Sequence, residues 1–221
     1  MTITREKLAG MIDHSLLRPQ STREELRKLC AEAIAFHFKA VCINPVHVAD
    51  AAVLLKGETP LICSVVGFPF GTQTPASKAT ETEEVIRLGA QEVDMVLRVG
   101  ALKEGRDDEV TEDIAAVVRA AAGRPVKVIL ETCYLTEEEK IRGCRLSIKA
   151  GAAFVKTSTG YGSAGATTAD VRLMRQAVGT GIGVKAAGGI RTLADALAMI
   201  EAGANRIGAS ASVTILNELE A

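Results

Sequence analysis

The feature that most constrains the fold is the alternation of short apolar runs with longer amphipathic segments from one end of the chain to the other. The short runs have the length and composition of buried strands, and the longer segments have the periodicity of helices. Strands are predicted at residues 11–14, 40–43, 61–66, 92–97, 126–130, 153–156, 182–185 and 205–207. Helices are predicted at residues 4–9, 21–36, 45–55, 75–88, 107–122, 137–150, 168–177 and 193–202.

Local signals agree with this pattern. Thr74 followed by Pro75 is typical of a helix start, and Thr136 with Glu139 three residues later has the pattern of a capping box. Glycine recurs where three of the predicted helices end, at residues 89, 151 and 203. Successive predicted strands begin roughly 20 to 35 residues apart, which is the length of a βα unit.

Repeated βα units in a chain of 221 residues predict an α/β protein, a single (β/α)8 TIM barrel that is preceded by a short N-terminal helix. The barrel is expected to form one domain that covers residues 1–221. A doubly wound parallel sheet is the alternative, although no G-x-G-x-x-G pattern follows the first predicted strand.

Composition and charge exclude several classes of function. Hydrophobic residues make up 48% of the chain and the net charge is -1, so nucleic-acid binding is not expected. No apolar stretch approaches the roughly 18 residues that cross a bilayer, and the N-terminus lacks the apolar core of a signal peptide. The five cysteines form no C-x-x-C pair, which favours free thiols and a cytoplasmic location. His14, His37 and His47 are scattered, so no metal site is predicted.

Two lysines follow apolar runs, and each leads into small or glycine-rich residues. Lys156 comes after residues 152–155, and Lys185 comes after residues 181–184. Lysine resists full burial because its ammonium group loses hydration. Two lysines at strand ends therefore indicate amine chemistry, in which one ammonium group helps to keep the other amine neutral. A structural salt bridge is the alternative for Lys156.

Other polar residues fall at the carboxyl ends of predicted strands, where barrel enzymes place their catalytic groups. Asp94 lies within an apolar strand and needs a cationic partner, so an ordinary salt bridge is the alternative to a catalytic role. Cys42 is either a pocket residue or a packed, inert thiol. Glycine-rich turns at residues 159–162, 188–189 and 208–210 can hold a phosphate with their backbone N–H groups.

Seven segments resemble, in this order, those of the deoxyribose-phosphate aldolase family. They are residues 12–19 (IDHSLLRP), 41–45 (VCINP), 66–71 (VGFPFG), 92–96 (EVDMV), 127–132 (KVILET), 155–160 (VKTSTG) and 184–192 (VKAAGGIRT). The resemblance extends from residue 12 to residue 212, nearly the whole chain, and the two lysine segments are highly specific.

The resemblance implies a class I aldolase, a carbon–carbon lyase that reversibly cleaves 2-deoxy-D-ribose 5-phosphate to D-glyceraldehyde 3-phosphate and acetaldehyde. It implies that Lys156 forms the Schiff base, that Lys185 perturbs Lys156, and that Asp94 belongs to the proton relay. It implies no cofactor and no metal, and a homodimer is expected. The residues implied to bind substrate are Asp13, Cys42, Thr157, Gly160, Gly188, Gly189 and Ser210.

Three residues depart from the family pattern. Arg98 stands where many relatives have Asn, and its side chain points either inward, toward Asp94, or outward as a surface charge. Ala187 and Ala211 stand where relatives often have serine, which removes a hydroxyl at each position. Two rival functions remain open: another Schiff-base or phosphate-binding barrel, such as a transaldolase or a fructose-bisphosphate aldolase, and a non-catalytic barrel that binds sugar phosphates.

Overall fold

The computed structural model describes residues 3–219, which form a closed barrel of eight parallel strands in chain order. The predicted (β/α)8 barrel is confirmed, and the doubly wound alternative is wrong because the last strand pairs with the first. The strands are β1 (Ile12–Leu16), β2 (Ala40–Ile43), β3 (Leu61–Val66), β4 (Glu92–Val96), β5 (Val126–Ile129), β6 (Phe154–Lys156), β7 (Gly183–Ala187) and β8 (Arg206–Ala209). β7 and β8 continue past the predicted ends at residues 185 and 207, where alanine and glycine gave only a weak apolar signal, and β1 continues past residue 14 to Leu16.

Helices surround the barrel and connect its strands. They are α1 (Arg5–Ala9), α2 (Arg23–Ala35), α3 (Val48–Leu54), α4 (Pro75–Leu88), α5 (Val99–Lys103), α6 (Asp107–Ala120), α7 (Glu137–Lys149), α8 (Thr168–Val178), α9 (Leu193–Glu201) and α10 (Ser212–Asn217). α5 and α10, of five and six residues, were not predicted from the sequence. Between residues 3 and 219, no helix combines the length and the apolar character that crossing a membrane requires.

Capping accounts for several helix boundaries. The Thr136 side chain accepts a hydrogen bond from the Glu139 backbone N–H at 3.3 Å, and the Glu139 carboxylate accepts one from the Thr136 backbone N–H at 2.8 Å. The predicted capping box at α7 is therefore confirmed. The predicted helix at residues 45–55 is divided into a 3₁₀ turn, Pro45–His47, and α3.

The apolar core lies between the strands and the surrounding helices. Val93 and Met95 on β4 belong to this core, as does Val128 on β5. Because side chains alternate between the two faces of a strand, Asp94 and Lys127 point to the opposite side, into the barrel. The barrel interior therefore contains charged side chains, and the layer between strands and helices is mainly apolar.

A buried ion pair outside the barrel joins α4 to α6. The Lys78 ammonium group donates to Asp113 Oδ2 at 2.6 Å and to the Val96 carbonyl oxygen at 2.9 Å, and both charged side chains are fully buried. Burial raises the pKa of Asp113, and Lys78 opposes this only in part. The pair links the two helices to the end of β4.

Breaking this pair should destabilise the protein. We expect Lys78→Met to lower the free energy of unfolding by about 3–5 kcal/mol, because the variant leaves the Asp113 carboxyl group buried without its cation. Urea unfolding followed by circular dichroism measures the change. Arg27→Met is the control, since Arg27 pairs with Glu24 on the exposed surface of α2, and it should cost less than about 1 kcal/mol. An equal loss in both variants would contradict the prediction.

Candidate active site

Seven charged side chains meet inside the barrel, all of them buried. Strand register brings several of them side by side: Asp94 pairs with Lys127 across β4 and β5, and Lys156 pairs with Lys185 across β6 and β7. The seven are Asp13, Glu92, Asp94, Lys127, Lys156, Lys185 and Arg206.

Asp94 is the hub of this cluster. Its Oδ2 accepts hydrogen bonds from Lys156 Nζ at 2.8 Å and from Lys185 Nζ at 2.7 Å. Its Oδ1 accepts one from Lys127 Nζ at 2.8 Å and one from the Cys63 thiol at 3.0 Å. A single carboxylate thus accepts hydrogen bonds from three lysine side chains, including both lysines that the sequence predicts for catalysis.

The remaining carboxylates complete the cluster. Asp13 Oδ2 accepts from Lys185 Nζ at 2.5 Å, and Asp13 Oδ1 accepts from Arg206 Nη1 at 2.7 Å. Glu92 accepts from both terminal nitrogens of Arg206, at 3.1 and 3.0 Å, and forms an ion pair with Lys127 at 2.7 Å. Together with Asp94, Asp13 therefore holds the Lys185 ammonium group from two sides.

Opposing effects set the protonation of the cluster. Burial alone would raise the pKa of Asp94, but Lys127, Lys156 and Lys185 outweigh it and hold that pKa well below its usual range. Asp13 follows the same rule: burial opposes the shift, and Lys185 together with other cations lowers its pKa to about 2. For Lys185, burial lowers the pKa, but Asp13 and Asp94 prevail and raise it. Lys185 is therefore an ammonium ion in the resting protein.

Two neighbouring thiols contact the hub. Cys42 and Cys63 are paired in the register of β2 and β3, and the Cys42 thiol lies 3.8 Å from Asp94 Oδ2. The neighbouring Cys63 thiol lowers the pKa of Cys42, whereas burial raises the pKa of Cys63 well above its usual value. Cys63 is consequently a neutral hydrogen-bond donor to Asp94.

A cavity of about 710 Å³ opens above the cluster at the carboxyl ends of the strands. Asp13 and Asp94 lie beneath the cavity and reach it through Lys185 and Lys156. Seven of the predicted site residues line the cavity: Cys42, Lys156, Gly160, Lys185, Gly188, Gly189 and Ser210. The predicted catalytic lysines and the predicted phosphate turns therefore share one pocket.

Thr157 is placed differently from its neighbours. Its hydroxyl group donates to the Ala187 carbonyl oxygen at 3.0 Å and accepts from the Ala187 N–H at 3.1 Å. The Thr157 side chain is fully buried and does not line the cavity. In this structure it joins β6 to β7.

The glycine turns have left-handed backbone conformations, with positive φ angles. Gly160, Gly188 and Gly189 have φ angles of +90°, +91° and +80°, a region that other residues rarely adopt. The Gly188 carbonyl oxygen accepts from the Ala166 N–H at 3.0 Å, and a Cβ atom on Gly165 would lie 2.2 Å from that same oxygen. The loops after β6 and β7 are thus packed backbone to backbone.

Arg98 takes the outward one of its two predicted positions, and His14 lies in the wall of the cavity. Arg98 points outward, and its Nη1 lies 3.3 Å from Glu109 Oε2 on α6 rather than near Asp94. His14 lines the cavity wall and contacts Ser212 Oγ at 3.0 Å and Glu32 Oε2 at 2.9 Å. Both residues therefore have partners outside the Asp94 cluster.

Four members of the site were not singled out from the sequence: Cys63, Glu92, Lys127 and Arg206. Lys127, like the two predicted lysines, lies in an apolar run, since it stands between Val126 and Val128. It was missed because it lies near the start of its strand instead of the end.

Two sets of donor atoms are close enough to hold a metal ion: Cys42, Cys63 and Asp94 form one set, and Asp13, Cys63 and Glu92 form the other. Their carboxylates already accept hydrogen bonds from lysine and arginine side chains. A metal cation would therefore compete with several ammonium and guanidinium groups, which disfavours the site for a resident metal.

Comparison with known proteins shows which family this sequence resembles. The sequence pattern of the DeoC/LacD family of aldolases matches residues 7–217. The deoxyribose-phosphate aldolase of Staphylococcus epidermidis is 57% identical over 212 residues, which cover 96% of each chain.

Two solved structures extend this similarity to the fold. A protein from Coccidioides immitis is 42% identical with a TM-score of 0.96, covering 99% of this chain and 88% of the other. The tetrameric deoxyribose phosphate aldolase of Aeropyrum pernix is 33% identical with a TM-score of 0.93, covering 99% of this chain and 93% of that one. The family match spans nearly the whole chain, and the predicted family is confirmed: this protein belongs to the DeoC/LacD family of aldolases.

Proposed function

We propose that this protein is a class I deoxyribose-phosphate aldolase in which Lys156 forms the Schiff base with 2-deoxy-D-ribose 5-phosphate. The observation that carries the proposal is the position of Lys156 Nζ, which reaches the floor of the cavity and shares Asp94 Oδ2 with Lys185 Nζ. The name of the Staphylococcus epidermidis relative supports the substrate.

The charge balance of the cluster favours a reactive amine. Three carboxylates (Asp13, Glu92, Asp94) face four cationic side chains (Lys127, Lys156, Lys185, Arg206). Loss of one proton brings the cluster to neutrality, which a buried site favours. Lys156 and Lys185 line the cavity, and Lys185 keeps its proton through two carboxylates, whereas Lys156 contacts only Asp94. Lys156 is therefore the proposed nucleophile.

The arrangement supports a complete proton cycle. Neutral Lys156 adds to the C1 aldehyde, and the Lys185 ammonium group protonates the resulting hydroxyl, so that water leaves and an iminium ion forms. The new positive charge lies beside Asp94, which weakens the hold of Asp94 on the Lys185 proton. Neutral Lys185 next accepts the proton of the C3 hydroxyl as the C2–C3 bond breaks, which releases glyceraldehyde 3-phosphate and leaves an enamine.

The second half of the cycle returns the site to its starting state. Lys185 protonates C2 of the enamine, and water then adds to the iminium carbon and gives its proton to Lys185. Collapse of the carbinolamine releases acetaldehyde and neutral Lys156. Asp94 keeps its charge throughout and couples the two amines, because both donate to the same oxygen atom. The iminium nitrogen is the electron sink that the bond cleavage requires.

The glycine turns are the proposed phosphate site. Gly160, Gly188, Gly189 and Ser210 line the same cavity as Lys156, and turns of this kind present backbone N–H groups to anions. Cys42 also lines the cavity, and Asp13 acts through Lys185. We do not include the Thr157 side chain among the substrate contacts, because its hydroxyl group is bound to Ala187.

We further propose that a single barrel domain covers the chain, and that the protein is cytoplasmic and assembles into homodimers. Five free cysteines support a reducing compartment. A tetrameric relative supports assembly, and Val46 and Val53, which are 79% and 76% exposed near α3, offer apolar surface to a second copy. Light scattering on the purified protein should give twice the mass of one chain; a mass of one chain or of four would contradict the dimer.

Trapping of the Schiff base tests the nucleophile. Borohydride reduction in the presence of 2-deoxy-D-ribose 5-phosphate should attach substrate-derived carbon to Lys156, which peptide mass spectrometry locates. Lys156→Met should lose the adduct and lower kcat by about 10³-fold or more, because the covalent intermediate cannot form. Lys140→Met is the matched control, since Lys140 pairs with Asp170 at 2.5 Å outside the cavity, and it should keep both.

Trapping, combined with measurements of sugar-phosphate binding and of acetaldehyde use, separates the rival functions. Wild-type protein that binds the sugar phosphate but yields no adduct would favour a non-catalytic barrel. An adduct without use of acetaldehyde as the donor would favour another Schiff-base aldolase.

Removal of the second lysine tests the coupling through Asp94. We expect Lys185→Met to lower kcat by about 10²–10⁴-fold, because the proton carrier is lost. The acid limb of its pH profile should also move to higher pH, since removal of a nearby cation favours the protonated form of the remaining amine. Initial rates across the pH range measure both effects. A reduced kcat with an unmoved acid limb would refute the electrostatic part of the proposal.

A further inference from the structure

Tyr161 is tethered across the mouth of the barrel. It lies in the loop between β6 and α8, and its hydroxyl group donates to the Leu17 carbonyl oxygen, in the loop after β1, at 3.0 Å. Its ring meets the ring of Phe68, in the loop after β3, edge to face, with 5.6 Å between the ring centroids. One side chain therefore contacts loops that follow two other strands.

Both ends of this tether are held in place. At the far end, the Leu17 carbonyl oxygen also accepts from Asn44 Nδ2 at 3.0 Å, and Leu17 packs on the apolar cluster that contains Cys42. At the near end, the Tyr161 N–H donates to Thr159 Oγ1 at 2.9 Å, and the Thr159 hydroxyl donates to the Glu131 carboxylate. Hydrogen bonds therefore hold both the Leu17 carbonyl group and the Tyr161 backbone in place.

The tether divides the mouth into two compartments. β1 and β6 are not neighbours in the barrel, since β7 and β8 lie between them on one side and β2 to β5 on the other. Tyr161 lines the large cavity above Lys156, and it also lines a second cavity of about 80 Å³. Besides Tyr161, the second cavity is lined mainly by apolar and aromatic side chains, together with Glu131, Thr159 and Gly162; the former are Pro69, Phe70, Val96, Val99 and Tyr134.

The two compartments differ in chemistry. The large cavity contains the glycine turns and Arg191, together with the ion pairs Arg18–Glu25 and Lys28–Glu32. Apolar surface predominates in the wall of the small cavity. A phosphorylated aldehyde suits the first compartment, and an apolar substituent suits the second. Tyr161 and Thr159 line both compartments, and Tyr161 is the larger of the two side chains between them.

We propose that Tyr161 is a specificity-determining residue, a partition that confines the acceptor aldehyde to the phosphate side of the mouth and closes the apolar compartment to it. The inference rests on the proposed aldolase function. Removal of the ring joins the two compartments and admits acceptor aldehydes that carry an aryl group. Removal of the hydroxyl group alone leaves the ring against Phe68 and loosens the wall of the phosphate side.

The test is the addition of acetaldehyde to two competing acceptors, glyceraldehyde 3-phosphate and phenylacetaldehyde. For each variant we measure the ratio of kcat/KM for the aryl acceptor to kcat/KM for the phosphorylated one. Tyr161→Ala should raise this ratio by about 10-fold or more, the scale on which apolar pocket contacts discriminate substrates. Tyr134→Ala is the matched control: Tyr134 is 51% exposed and lines the same small cavity but does not line the large one. Its ratio should remain that of the wild type.

Tyr161→Phe provides a milder variant that keeps the ring. We expect its KM for glyceraldehyde 3-phosphate to rise by about 3- to 10-fold, the effect of one lost hydrogen bond, while kcat stays within about twofold because the lysine cluster is untouched. An unchanged ratio in Tyr161→Ala, or an unchanged KM in Tyr161→Phe, would overturn the partition. Failure of the wild type to add acetaldehyde to glyceraldehyde 3-phosphate would instead overturn the aldolase function.

Discussion

The carboxylate of Asp94 is the interaction on which the rest of the site depends. It accepts hydrogen bonds from three lysines that come from three different strands. Burying the charged form of any of these lysines without an anion nearby would cost much free energy. A buried carboxylate is costly as well, so each group makes the burial of the others possible. The barrel holds Lys156 in place because each buried charge of the cluster is stabilised by the opposite charges around it.

The closed barrel explains how residues distant in the chain reach this point. Parallel strands joined by helices present their carboxyl ends on one side, where the connecting loops form a single mouth. Alternation along each strand sends apolar side chains outward to the helices and charged ones inward. The ion pair of Lys78 and Asp113 shows the exception, in which charge is buried on the helical side to connect α4, α6 and β4.

Much of this arrangement was predictable from the sequence because the signals are local. A charged residue in an apolar run marks an inward position, which made Lys156, Lys185 and Asp94 visible, and the same rule applies to Lys127. Thr157 shows the limit of adjacency: it follows Lys156 directly, yet alternation turns it away from the cavity toward Ala187. The contact of Tyr161 with Leu17 joins residues 144 positions apart, and no local pattern encodes such a contact.

The backbone packing of the loops after β6 and β7 has a consequence for the entropy of binding. Gly165 and Gly188 approach so closely that a Cβ atom on Gly165 would lie 2.2 Å from the Gly188 carbonyl oxygen. The chain therefore loses the conformational freedom of these loops when it folds, before any anion arrives. For the phosphate group of the proposed substrate, binding at these turns would therefore not be weakened by the ordering of flexible segments.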